Sequence, residues 1–219
     1  MDPTSQRLMM GAAGSSGAAA IEFVASAQAQ NSGTVNTVVI SKPTGVQQGD
    51  LLIALCITSN DRSWTGDTGW TEVVDQGVKP SLRVAYLVAG ASEPSSYTFT
   101  ISNNSSASGV IAAFRYAAYD TIGSIATGSA SGVQTASAIT LSSASSAILA
   151  FFAHDGSSRT WSNPTSGLIS TASDSDAASS SWALYRQLNL SSGSTGTRSA
   201  TCSSSAGSFA CILVGIKPA

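Results

Sequence analysis

Charged side chains are scarce in this sequence. They make up 10% of its 219 residues, against about 25% in ordinary globular proteins. The ten lysines and arginines are scattered, and with twelve acids they leave a net charge of −2. Binding nucleic acid requires a stripe of cations to neutralise phosphates, so no nucleic-acid partner is expected. Adsorption to an anionic membrane surface fails for the same reason. No apolar run approaches the roughly 18 residues of a membrane-crossing helix, and no membrane insertion is expected.

Histidine is nearly missing too. His154 is the one example, and it adjoins Asp155. A Ser–His–Asp triad needs its carboxylate on the far ring nitrogen, which a neighbouring residue cannot easily reach. No Gly-x-Ser-x-Gly elbow precedes it, and His154 reads as a loop histidine at the end of a strand. Glycoside hydrolysis needs paired carboxylates, but Glu22, Glu72 and Glu93 are isolated and Glu93 sits in a turn, Gly90-Ala91-Ser92-Glu93-Pro94. Asp61 with Asp67, and Asp174 with Asp176, offer loop oxygens of the kind calcium takes. They lack the spacing of a known loop motif and read as solvated turn residues. The chain is therefore expected to be non-enzymatic, with no metal and no cofactor.

Three cysteines make no disulfide framework. Cys56 ends the run Leu51-Leu52-Ile53-Ala54-Leu55-Cys56 and reads as a small buried hydrophobe. Cys202 and Cys211 fall on successive expected strands, where a bridge is conceivable. A secretory signal is not expected although Ala25-Ser26-Ala27-Gln28 looks like a cleavage site. The start Met1-Asp2-Pro3 lacks a cationic cluster, and Glu22 interrupts the region where apolar residues are wanted.

What the chain does contain is serine, roughly a fifth of all residues, beside a 42% apolar fraction that is ample for a core. Serine suits turns and exposed strand faces and is poor inside helices. Residues 1–20 form a leader: Asp2 and Pro3 can start one helical turn, and Gly11 to Ala20 has the composition of a flexible linker. From Ile21 onward the pattern is short β-branched or apolar stretches bounded by Gly, Ser, Asn or Pro. It predicts strands at 21–27, 35–41, 50–58, 70–76, 81–89, 96–102, 108–116, 137–142, 146–153, 181–188, 197–203 and 208–216. Tyr97, Phe99 and Ile101 alternate on one face, whereas the runs 51–57 and 147–153 read as central strands covered on both sides.

The chain also echoes itself at an offset near 100 residues. Leu51 to Cys56, followed by Asp61-Arg62-Ser63-Trp64, answers Ala147 to Phe152, followed by Ser158-Arg159-Thr160-Trp161. Leu82-Arg83-Val84-Ala85-Tyr86 answers Trp182-Ala183-Leu184-Tyr185-Arg186, and Gly109 to Arg115 answers Phe209 to Lys217. The expected fold is all-β: a single antiparallel two-sheet sandwich over 21–219, jelly-roll-like, with pseudo-repeats at about 35–119 and 135–219. Tandem immunoglobulin-like domains are the structural alternative. Trp64 and Trp161 occupy equivalent places, with Trp70 and Trp182 expected near sheet edges. Equivalent tryptophans plug the ends of a duplicated core; exposed ones serve as platforms for sugar rings. If a ligand surface exists, Arg62, Trp64, Arg159 and Trp161 mark it.

Lys42-Pro43-Thr44-Gly45 through Gly49-Asp50-Leu51-Leu52, Gly69-Trp70-Thr71, and Ala89 through Phe99 resemble a β-sandwich module of phage virion proteins and bacterial surface proteins. Gly196 to Thr201 and Val214-Gly215-Ile216-Lys217-Pro218 resemble that module's end, so the likeness spans roughly 35–219. The leader Asp2 to Gly14 resembles the start of structural proteins from tailed phages, notably those infecting cyanobacteria. These motifs are structural and bring no catalytic residues. The resemblance implies a virion accessory protein, a head decoration protein or short fibre, forming a homo-oligomer or symmetric array. Its leader would be an anchoring peptide in which Leu8, Met9 and Met10 dock into another capsid or tail protein. Host surface glycans are a further candidate partner. Bacterial members follow a secretion signal, a pattern from which this sequence departs; a secreted or surface carbohydrate-binding module is the alternative.

Overall fold

The computed structural model describes residues 19–31, 35–65, 68–129, 132–175, 180–204 and 206–219. Among them there is no helix, and the strands pair antiparallel throughout. The first half contributes β1 (Glu22–Gln30), β2 (Thr37–Ser41), β3 (Leu51–Thr58), β4 (Trp64–Thr65), β5 (Thr71–Gln76), β6 (Ser81–Val88), β7 (Ser96–Ile101) and β8 (Ala107–Arg115). The second half opens with β9 (Ala117–Ile122), β10 (Ala126–Ser129), β11 (Val133–Ala136), β12 (Thr140–Leu141) and β13 (Ser146–His154). It continues with β14 (Trp161–Ser162), β15 (Ile169–Asp174), β16 (Ser181–Leu190), β17 (Gly193–Ser194), β18 (Arg198–Cys202) and β19 (Ser208–Pro218). Ala25 to Gln28, the cleavage-like segment, runs inside β1 and pairs with β8.

The two halves share one strand order. In the first, a large sheet β1-β8-β3-β6-β5 accompanies a small sheet β2-β7-β4. In the second, the large sheet is β10-β19-β13-β16-β15, with β9 also on β19, and the small one is β11-β18-β14. A two-stranded β12-β17 pair stands beside it. Even an irregularity repeats: the edge strand slips register between Glu72 and Val74 in one half and between Ser170 and Ala172 in the other.

Alternation along the central strands explains how these sheets stack. Leu51, Ile53, Leu55 and Ile57 enter one hydrophobic core, together with Ala147, Leu149, Phe151 and Ala153 of β13. The intervening Leu52, Ala54 and Cys56 enter a second core with Val38, Ile40, Phe99 and Trp64 of the first small sheet. Likewise Ile148, Ala150 and Phe152 enter a third core with Ala136 and Ala200 of the second small sheet. The layers are therefore small, large, large, small, with three cores between them. The expectation that 51–57 and 147–153 are covered on both faces is met. The single sandwich of two sheets is not what forms: a run apolar on both faces needs a partner layer on each side, and several sheets supply them.

The central contact is pseudo-twofold. The Arg186 guanidinium lies 4.2 Å over the Phe23 ring, and Tyr86 stacks on Tyr119 at 4.8 Å. Phe23 pairs with Phe114 as Tyr119 pairs with Ile216, and Tyr86 pairs with Ile53 as Arg186 pairs with Leu149. The two contacts are thus one contact with the halves exchanged, the pattern of an isologous dimer interface. Trp182, expected near a sheet edge, is instead fully buried in this central core. Its Nε1 donates to Ser108 Oγ of the other half at 3.0 Å. A single residue, Tyr116, separates β8 from β9, and it turns the chain with φ 56°.

Because both halves bury their largest faces against each other, they are expected to unfold together. Urea denaturation followed by tryptophan fluorescence and by far-ultraviolet circular dichroism should give coincident single transitions. Trp182→Ala should lower stability by about 3–5 kcal/mol, as emptying a fully packed aromatic site does. Two separate transitions in the unsubstituted chain would contradict the shared core.

Candidate ligand-binding site

Registers make the two halves comparable residue by residue. Leu55 pairs with Val84 as Phe151 pairs with Leu184, which sets Arg83 against Ala183 and Ala85 against Tyr185. Val74 pairs with Val84 as Ala172 pairs with Leu184, which sets Glu72 against Ser170 and Asp75 against Ser173. Trp64 opposes Ile101 at the end of β7, and Trp161 opposes Cys202 at the end of β18. The sequence expectation that the two tryptophans are equivalent agrees with these registers.

Their surroundings differ. Trp64 is 3% exposed, and its backbone N–H donates to Asp75 Oδ2 at 2.9 Å. The buried Arg83 pairs opposite Asp75 across the β5–β6 ladder, and its Nη2 lies 3.2 Å from Glu72 Oε2. Burial lifts the Asp75 carboxyl above its ordinary range, against the pull of the Trp64 amide and the Arg83 charge. A buried guanidinium is tolerable only when paired, and these two acids flank it. Arg62 is half-buried in the preceding loop, donating from Nη1 to the Asp61 carbonyl at 2.9 Å.

In the second half the charged residues are replaced by Ser170, Ser173 and Ala183, and a cavity of about 170 Å³ opens where β14 and β15 flank the mouth of the outer core. Arg159, Trp161 and Tyr185 line it as well. Trp161 is half-exposed and packs on Phe152 with ring centroids 5.8 Å apart; Tyr185 meets the same ring at 6.0 Å. Burial pushes the Tyr185 phenol above its ordinary range, so it stays a protonated hydroxyl. Trp161 Nε1 and Arg159 Nε are buried with no hydrogen-bond partner among the described residues.

The loop carrying Arg159 is held from below. Arg159 N donates to Ser181 Oγ at 3.1 Å, and that hydroxyl donates to the Gly156 carbonyl at 2.7 Å. His154, expected in a loop, is the last residue of β13 and fully buried. Its Nδ1 accepts from Gly156 N at 3.0 Å. Asp155 accepts from Ser208 N at 2.8 Å and meets Lys79 of the other half at 3.1 Å.

Of the four residues marked for a ligand surface, the structure brings Arg159 and Trp161 to one cavity and puts Arg62 and the buried Trp64 at the equivalent position of the other half. Sequence reasoning missed Ser170, Ser173, Ala183 and Tyr185; the signal was the Arg83-for-Ala183 exchange within the echo itself. Leu8, Met9 and Met10, with Asp67 and Asp176, lie outside the described residues. Among the described residues no three acids, histidines or cysteines gather as a metal set. All three cysteines are buried and none is in a disulfide; Cys202 and Cys211 lie in different sheets, and burial pushes the Cys211 thiol up to about 12. Comparison with protein-family models, with curated proteins and with solved structures finds no match.

Burial lowers the His154 pKa, the Asp155 charge opposing and the Arg159 charge adding to the effect. The unfolded chain then takes up a proton near pH 6.5 that the folded chain resists. Stability is full above that pH and falls as the solution is acidified. His154→Thr, which installs the residue found at the equivalent Thr58, should flatten this slope. Urea midpoints between pH 5 and 7.5 measure it, and an unchanged slope in the variant would place the acid sensitivity elsewhere.

Proposed function

We propose that the chain is a non-enzymatic structural component of a virion, a head decoration protein or short fibre displayed on the particle and docked through its N-terminal peptide. The observation that carries this reading is the central core. It joins two sandwiches into one block along their largest faces, a design for persistence on an exposed surface. The hydroxylated, charge-poor surface fits a display role, and so does the resemblance of 35–219 and of the leader to virion proteins. In this reading Leu8, Met9 and Met10 enter a groove on a capsid or tail protein. Each buried apolar side chain contributes roughly 1.5–3 kcal/mol, and a symmetric array of copies adds avidity.

Deleting residues 1–12 tests the docking half of the proposal. The truncated chain should stay soluble with unchanged thermal unfolding and should be missing from purified particles by mass spectrometry. Truncated protein present at normal copy number would overturn the anchor.

A second reading, a secreted or surface carbohydrate-binding module, is favoured by one observation: the cavity under Trp161. A fibre that touches host glycans would share that activity, and the two readings differ in where the protein sits.

A further inference from the structure

The two halves supply a comparison of open and filled versions of one site. In the first, Arg83, Glu72 and Asp75 occupy the mouth of the outer core, and Ala85 and Cys56 lie where the second half has Tyr185 and Phe152. In the second, those three charges are absent, and Ser170, Ser173 and Ser175 with Arg159 line about 170 Å³ of space beside three packed rings. Repacking after loss of three charged side chains would ordinarily close such a gap, since protein interiors tolerate few voids larger than a water molecule. Here the added Tyr185 and Phe152 rings leave it open.

We infer that this second-half cavity binds a single pyranose ring of a glycan, and that the first-half site is the same pocket sealed by its own side chains. The chemistry selects the ligand. Ser170 and Ser173 each offer a hydroxyl that both donates and accepts. The Tyr185 hydroxyl, Trp161 Nε1 and the Arg159 guanidinium add donors. This suits a ring carrying many hydroxyls, while Trp161 presents an aromatic body for its C–H face. The carboxylates that hold a guanidinium in the first half are absent here, so a cationic ligand is disfavoured. The volume is well below the roughly 300–1,000 Å³ of pockets for drug-sized ligands, which limits the site to one ring. The inference rests on the second reading above, whose ligand and pocket it names, and is independent of the docking proposal, because binding is read on the isolated chain and incorporation on particles.

The test uses the full-length chain and the methyl pyranosides of glucose, galactose and mannose, read by tryptophan fluorescence and by calorimetry. At least one should give a saturable response, with a dissociation constant on the order of 1 mM, which is what a dozen or so heavy atoms can supply. Transplanting the seal, as Ser170→Glu with Ser173→Asp and Ala183→Arg, should weaken binding by at least about tenfold, or 1.4 kcal/mol. Trp161→Ala, at a half-exposed edge position, should do the same and keeps the test decisive if the triple variant fails to fold. Trp64→Phe, in the sealed half, should leave binding unchanged. No saturable response to any of the three glycosides overturns the inference, and so does binding that survives both the seal and the loss of Trp161.

Discussion

The contact between the two large sheets governs this molecule. Each presents a row of apolar side chains that its own small sheet does not cover, and Leu51, Ile53, Leu55 and Ile57 would face water were it not for Ala147, Leu149, Phe151 and Ala153 opposite. Burial of that size is the dominant favourable term in folding. It also dictates the sequence of β3 and β13, which are apolar throughout 51–57 and 147–153 because both faces are dry there. The connection between the halves follows from it as well. With the sheets pressed together, Tyr116 alone takes the chain from β8 to β9.

The pseudo-twofold axis shows how such an interface tolerates divergence. Trp182 and Ser108 hydrogen-bond across it, and the registers put Leu82 and Ala210 at the exchanged positions. Donor and acceptor are present together on one side of the axis and absent together on the other. That is the arrangement expected when an unpaired buried indole N–H would cost its full desolvation, while replacing both partners by apolar groups is nearly neutral. Close approach is regulated in the same way. A Cβ added at Gly109 would come within 2.8 Å of Cys56 Sγ, so β8 needs the smallest residue there, whereas the equivalent position in β19 accommodates Cys211.

Much of this was legible in the sequence because it rests on local pattern. Continuous apolar runs bounded by turn residues located β3, β6, β8, β13, β16 and β19, and the offset near 100 residues paired them correctly. The number of layers was not legible. A run apolar on both faces calls for a partner layer on each side, but it does not say which segments supply those layers, and only long-range pairing decides. Short edge strands such as β4 and β14, two residues each, carry too little pattern to stand out from loops. β15, Ile169–Asp174, is mostly serine, threonine and alanine and owes its extended form to pairing with β16. Trp64 and Trp161 were legible as equivalents, but the burial of the first and the partial exposure of the second depend on residues of other strands, Arg83 and Ala183 among them.

That dependence is also why the outer cores can differ while the fold does not. The central core belongs to both halves at once, so a change there must suit two sheets. An outer core answers only to its own small sheet, and its mouth is bounded by edge strands that pair on one side alone. A buried arginine with flanking acids can seal one mouth at little net gain in stability, because the desolvation of the charges offsets their attraction. Losing them at the other mouth is correspondingly cheap, provided the three leave together and none is stranded unpaired. The second half meets that condition: Ser170, Ser173 and Ala183 stand where Glu72, Asp75 and Arg83 do, and with the charges removed as a set the cavity beside Trp161 could open without weakening the block that carries it.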